Sequence, residues 1–414
     1  MNRIDVGFGS NLVTPGLGVY MAGYFEKRRS TAMHDELYAR AMVFDDGATR
    51  GALLCCDLIT VPAEEVAKIR EIVEARTGIP GKNVMVCGTH THTGPNTRRG
   101  SLEEDDPTIE WLDGMPARAA EAVVAAVGDM EGCTLAGGSA FEDRIAFNRR
   151  YHMKDGTVRS NPGHMNPEIV EPAGPIDPEV GVLSFRREDG TLKGLYVNYA
   201  CHLDNVGGTE ISADFPGYLV NRLQERVVGR PAVLFTNGSC GDINHIDTRS
   251  RHRRKGHEHS RWMGETLAGD ACVALEQMEE VAAGSVRIAS EVIQLPMKED
   301  ADQSIGQTEI QVMRVGEVAF VGVPAEYFVE LQLDIKERSP FARTYISELA
   351  NGCIGYVPTR KAFAENMKDV SSERMEQFDH MGYEVRSALS RGYLPGIGEA
   401  MADAAVRLLE QVTC

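Results

Sequence analysis

Short apolar runs alternate along the chain with longer segments whose apolar residues recur at spacings of three and four among Glu, Lys and Arg. The first pattern predicts buried strands and the second amphipathic helices; their alternation is that of an α/β protein. Strands are expected in GALLCCDL (51–58), NVMVCGTH (83–90), GLYVNYACH (194–202), AVLFTNGS (232–239) and EVAFVGVPAE (317–326). Helices are expected over 64–77, 107–127, 215–228, 260–279, 324–337 and 397–412. The expected fold is therefore α/β, with mixed β-sheets flanked by helices. No repeat, low-complexity stretch or linker interrupts the chain, so residues 1–414 are read as one domain. The stretch 147–178 departs from the pattern. Rich in Asn, Gly, Pro and Arg and without periodicity, it is expected to be a loop or hairpin excursion over a pocket.

Composition narrows the partners. A formal charge of −18 over 414 residues disfavours nucleic acid and anionic membrane surfaces. No apolar run reaches the roughly 20 residues needed to span a bilayer, and the start, MNRIDVGFGSNLVTPG, has no signal-peptide pattern. A cytoplasmic protein acting on a small molecule, with no nucleic acid and no membrane insertion, is expected; a homo-oligomer is left open. Nine scattered cysteines without a C-x-x-C pair argue against disulfides and a cysteine-based zinc finger. A metal would have to be held by His, carboxylate or phenolate.

Five strand candidates run into polar residues: Asp57, His90 with His92, His202, the Asn237–Asn244 loop, and Glu326. Ligands bind at the carboxyl ends of strands in open α/β sheets, so these groups would converge if the strands lay parallel in one sheet. In GTHTHTGP (88–95), residues two apart point the same way in extended chain; His90 and His92 suit a metal, or are simply hydrogen-bonded in a loop. His202 ends an apolar strand. Asp214, just ahead of a helix, is either its N-cap or a support for the site. In FTNGSCGDINH, Ser239 and Cys240 are weak candidates as nucleophiles because the G-x-S-x-G elbow is absent. Spacing alone singles out neither Glu326 nor Tyr356. The basic run RSRHRRKGHEHSR (249–261), with His252, His257 and His259, reads as solvated surface rather than a metal site.

Taken in order, TPGLGVYMAGY, HDELYARAMVFDDG, CDLI, GTHTHTGP, AFNRR, NYACH, NGSCGDIN, PAE, GYVPTR and GYE resemble the N-terminal catalytic domain of the neutral/alkaline, non-lysosomal ceramidase family across nearly the whole chain. The resemblance implies one catalytic domain over 1–414 and zinc (Zn2+) at the carboxyl ends of strands, held by His90, His202, Glu326 and Tyr356. It implies an active-site role beside the metal for His92 and substrate contact for Arg149 and Tyr383; these three are read as the catalytic groups, and Arg150, Asp242 and Asn244 as substrate-binding residues. Two departures matter. The position where the family carries serine after G-D-x is Asn244, which moves the expected nucleophile to a zinc-activated water. The chain also ends near Cys414, without room for the family's C-terminal immunoglobulin-like domain. A soluble relative is expected, cleaving an amide (N-acyl) bond in something other than ceramide. The alternatives are a zinc hydrolase or lyase acting on a sugar or other small polar molecule, and a binding protein without turnover.

Overall fold

The computed structural model describes residues 3–24, 26–367 and 382–413. Its main strands fall into three sets of four with one shared topology. In the first set, β1 (Ile4–Leu12), β2 (Tyr38–Asp45) and β3 (Arg50–Cys56) pair antiparallel in succession. Helix α1 (Ala63–Thr77) then carries the chain to β4 (Val84–Gly88), parallel to β3, and α2 (Pro107–Gly128) follows. The second set repeats this plan. Antiparallel β5 (Glu131–Phe141), β6 (Glu179–Arg186) and β7 (Leu192–Tyr199) lead through α3 (Phe215–Arg226) to β8 (Ala232–Asn237), parallel to β7, and then to α4 (His257–Glu276). The third set has β9 (Val286–Gln294), β10 (Gln307–Val315) and β11 (Val318–Val323), then α5 (Val329–Arg338) and a parallel β12 (Arg343–Glu348). Short helices α6 (Arg360–Met367) and α7 (Tyr383–Ser390) precede the closing helix α8 (Ile397–Gln411). Pairing of β1 with β5 joins the first two sets into a continuous sheet, and the third forms its own.

Local chemistry explains the plan. The tight turn between the second and third strands of each set carries a glycine at positive φ: Gly47 (84°), Gly190 (80°) and Gly316 (59°). Such turns need a left-handed residue to match strand twist. A parallel fourth strand, by contrast, requires a crossover, and each set supplies a helix for it.

Strand alternation sorts the side chains into shared and private cores. On β2, Met42 and Phe44 face an interior filled by Phe8, Leu53, Met85, Phe185, Tyr196, Phe320 and Tyr345, drawn from all three sets. Their neighbours Ala41 and Val43 pack against α1 and α2. Val182 and Val197 likewise face α3 and α4, and Val312, Val321 and Ile346 face α5 and α8. Edge-on aromatic contact between Tyr196 and Phe320, centroids 5.1 Å apart, ties the third set's sheet to the second set. Strands covered on both faces read as continuous apolar runs, which is why GALLCC and VMVCG stood out.

Two expectations change. The five strand-end groups do not share one parallel sheet; the parallel pairs are split among the three sets. A repeat exists, in topology rather than in sequence. The 147–178 excursion contains the expected hairpin: Arg150–Met153 pairs antiparallel with Val158–Ser160, and Ile169–Pro172 adds a third strand. Among the described residues, no helix is long and apolar enough to cross a membrane.

Candidate metal centre

The repeated plan brings equivalent strand ends together. His202 lies three residues beyond the end of β7, and Glu326 three residues beyond the end of β11. The corresponding place beyond β3 is Ile59, whose carbonyl lies 2.9 Å from Nδ1 of His90. His90 itself sits beyond β4 at φ 79°, a left-handed conformation uncommon for a side chain of this size, held by its amide donating to the Leu58 carbonyl at 2.9 Å. Nδ1 of His202 meets the Cys240 carbonyl at 3.1 Å.

These two contacts fix the tautomers. A carbonyl only accepts, so each Nδ1 carries the proton and each Nε2 is left as a bare acceptor. The two Nε2 atoms face one another at 3.1 Å, with Nε2 of His92 3.4 Å from that of His90. Oε2 of Glu326 is 3.4 Å from the first and 3.8 Å from the second. Bare acceptors this close cannot hydrogen-bond each other. Ligand atoms held about 2.0–2.1 Å from one tetrahedral ion stand about 3.3 Å apart. The donor set therefore fits a divalent metal, with His90, His92 and His202 all buried and able to contribute.

Electrostatics keep two of the three imidazoles, those of His92 and His202, from charging. Burial, followed by the charge on His90, lowers His92 to about 3. Burial, then Arg149 and the other imidazoles, hold His202 well below the usual range. Burial opposes charge on His90 too, but its contact with the Glu326 carboxylate outweighs it and raises that imidazole. Glu326 is itself held far below the ordinary carboxylate range because His90 and His202 outweigh its burial.

Tyr356 reaches the cluster through a two-residue parallel pairing that sets Tyr356 opposite Glu326. Burial, and then the neighbouring Glu326 carboxylate, push its phenol well above the ordinary value; a bound cation would act in the opposite sense. Behind it stands Arg149, which donates to Glu384 at 2.8 Å and to the Gly241 carbonyl at 2.7 Å. Its guanidinium lies 5.4 Å from the Tyr356 ring centre and 4.9 Å from that of Tyr383.

Other sequence candidates are engaged within the fold. Arg150 donates to Asn366 at 3.1 Å and Glu365 at 3.3 Å. Asp242 accepts from the Val329 amide and from Asn148, both at 2.9 Å, and burial raises its carboxyl to about 6. Asn244 donates to Asn161 at 2.9 Å and accepts from the Ile246 amide. Asp57 is taken up by Arg40 at 2.6 Å, and Asp214 caps α3. Ser239 is fully buried, and Cys240 directs its Sγ at Glu348, 2.7 Å away.

Two supporting residues escaped the sequence reading. Gly23, at φ 96°, lies so close beneath His92 that an added Cβ would come 2.5 Å from the histidine's own; nothing in a lone A-G-Y announces that contact. Glu384, the buried partner of Arg149, stood unremarked beside Tyr383 in GYE. A cavity of about 370 Å³ opens over the centre, lined by His90, His92, Glu326 and Tyr356 below and by Tyr24, Lys27, Arg98 and Arg391 toward its mouth.

A buried histidine–carboxylate cluster at strand ends of this α/β scaffold makes a candidate metal centre. The scaffold is that of neutral ceramidase: the crystal structure of the Pseudomonas aeruginosa protein matches 99% of this chain and 74% of its own with a TM-score of 0.80, at 18% identity. A ceramidase complexed with C2 gives a TM-score of 0.79, also at 18% identity, over 99% of this chain and 75% of its own. In sequence, the P. aeruginosa neutral ceramidase is 26% identical over 208 residues, which are 48% of this chain but only 30% of that protein's length. No family model matches the sequence. The chain is a distant relative of neutral ceramidase that shares its fold.

Proposed function

We propose that the protein is a zinc-dependent hydrolase that cleaves an amide (N-acyl) bond in a compound smaller and more polar than ceramide. The observation that carries this reading is the pair of carbonyl-anchored imidazoles whose free Nε2 atoms converge beside Glu326. His90, His202, Glu326 and Tyr356 would hold the zinc. When bound, it supplies a Lewis acid for the acyl carbonyl and lowers the pKa of water toward neutrality.

The chain's own groups supply the rest. Neutral His92, whose buried Nδ1 has no partner, takes a proton from the attacking water and delivers it to the departing amine. Arg149 and Tyr383 oppose the negative charge that develops on the acyl oxygen. Arg149 is pre-set for this by Glu384 and the Gly241 carbonyl, so no reorganisation is needed during reaction. Arg150, Asp242 and Asn244 brace the wall behind these groups through their internal bonds, and their effect on substrate is by position.

The cavity's size and its charged mouth, with Lys27, Arg98 and Arg391, favour a short polar substrate over a long acyl chain. The same observation supports a second reading, a zinc hydrolase or lyase acting on a sugar or similar small molecule. A panel of long-chain ceramides, short N-acyl amines, N-acyl amino acids and N-acetyl sugars, assayed with zinc-loaded protein, separates them. Turnover of short amides is expected. Turnover confined to non-amide sugars selects the second reading, and bound zinc without any turnover points to a binding protein.

A further inference from the structure

A second cluster of metal-binding side chains forms on the surface, outside the cavity just described. It joins three segments remote in sequence: His34 and Asp35 after the short strand Ala32–Met33, Glu210 in the short strand Glu210–Ile211, and His257 at the first turn of α4. The two short strands pair in parallel, and the amides of His34 and Asp35 both donate to the Ile211 carbonyl, at 2.9 and 3.1 Å. This backbone lattice sets the side chains. The imidazoles of His34 and His257 stack with centroids 3.6 Å apart and planes 25° from parallel. One ligand atom from each of His34, Asp35 and His257 lies within 4.8 Å of the others. Glu210 extends the set, its Oε2 lying 3.2 Å from Nε2 of His257.

Two features go beyond an ordinary surface ion pair. Nδ1 of His257 is buried and has no hydrogen-bond partner. The two stacked rings also bring a ligand nitrogen each within 4.8 Å of one another and of an Asp35 oxygen. Two carboxylates stand beside the rings: Asp35, held by the Ser212 hydroxyl, and Glu210, which meets the other nitrogen of His257. The Tyr218 hydroxyl lies 2.8 Å from Nε2 of His34 and holds that ring in place. Two imidazoles and two carboxylates form a nitrogen–oxygen set suited to zinc and its neighbours rather than to magnesium or calcium.

We propose that His34, Asp35, Glu210 and His257 form a second, structural site for a divalent transition metal of the zinc class. Its effect reaches the buried centre only through the backbone it braces. The Ser212 carbonyl, next to Ile211, accepts from the hydroxyls of Thr91 and Thr93 at 2.7 and 3.1 Å, and these two residues flank His92. Metal at the surface cluster therefore stiffens the segment on which the active histidine rests, without touching substrate.

The test is metal stoichiometry. Protein stripped by chelation is reloaded with Zn2+, freed of excess, and measured for zinc per chain and for melting temperature. Wild type is expected to hold two zinc ions. His34→Ala with His257→Ala should hold one, keep turnover within about twofold, and lose part of the zinc-induced rise in Tm. His202→Ala should keep the surface ion. A folded double variant with the wild-type zinc content would overturn the proposal, as would a wild type holding no more zinc than that variant. If the double variant folds poorly, His34→Gln replaces a solvent-facing side chain and should weaken the second binding step about 10-fold or more; unchanged binding there overturns the proposal too. Zinc retained by His202→Ala at the buried centre would instead contradict the catalytic reading alone.

Discussion

The molecule assembles two histidine clusters from distant segments, and they are built in different ways. At the buried centre, His90 and His202 each spend Nδ1 on a backbone carbonyl, so the fold itself fixes ring orientation and tautomer. At the surface cluster, His34 and His257 lean on the side chains of Tyr218 and Glu210 instead of on backbone carbonyls. The first arises where repeated β-β-β-α-β sets end their strands together; the second rides on a two-residue strand pair and a helix end. Outer partners that orient a ligand ring are worth roughly 10–100-fold in metal affinity. The buried site should bind tightly and react, whereas the surface site binds more weakly and stiffens.

Several changes would break or sharpen that contrast. The largest effect is expected for His90→Ala or His202→Ala, which should remove metal from the buried centre and cost more activity than loss of an outer partner would; elemental analysis beside an amidase assay decides, and a fully active variant rejects the centre. Next is Arg149→Leu, which strands Glu384 as a buried, unpaired carboxylate. Urea denaturation should show a loss of about 3–5 kcal/mol; a change below about 1 kcal/mol would mean that the pair is not desolvated as described.

Asp242 gives a pH signature away from either cluster. Burial raises its folded pKa to about 6, above the ordinary aspartate value of about 3.9, so the folded state binds more protons between those values. Its contribution to stability is complete below about pH 4 and is lost as pH rises through 6, by about 3 kcal/mol in all. Asp242→Asn should flatten this part of the stability–pH curve, and an unaltered slope would contradict the assignment. Gly23→Ala should act on the centre without removing a ligand. Forcing a Cβ against His92 at positive φ costs about 1–3 kcal/mol or displaces the ring, so kcat should fall while zinc content holds. The smallest effect on turnover belongs to the surface pair His34 and His257.

Much of the scaffold was legible because its strands are covered on both faces and its helices on one. The predicted helix 215–228 and the observed Phe215–Arg226 differ by two residues at one end. The order of strands was not legible, since β3 with β4 and β7 with β8 look alike in sequence whether or not they share an edge. The turn glycines Gly47, Gly190 and Gly316 were visible, but their equivalence appears only once pairing is known. At the site, His90 and His202 announce themselves by ending apolar runs. Glu326 and Tyr356 emerged only by family resemblance, because their meeting depends on a two-residue parallel pairing that no periodicity marks. His257 lay within a basic run and read as surface; its partner His34 is 223 residues away, and only the fold brings the rings together.

The most direct test of the central claim is reconstitution of the buried centre. Chelator-stripped protein and its His202→Ala variant are titrated with Zn2+ while hydrolysis of a short N-acyl amine is followed. If the buried histidines hold a catalytic zinc, stripped wild type is inactive and regains full rate as the tighter of its zinc sites fills, while the variant stays inactive throughout. Full hydrolysis by the stripped protein, or equal recovery in His202→Ala, would contradict it.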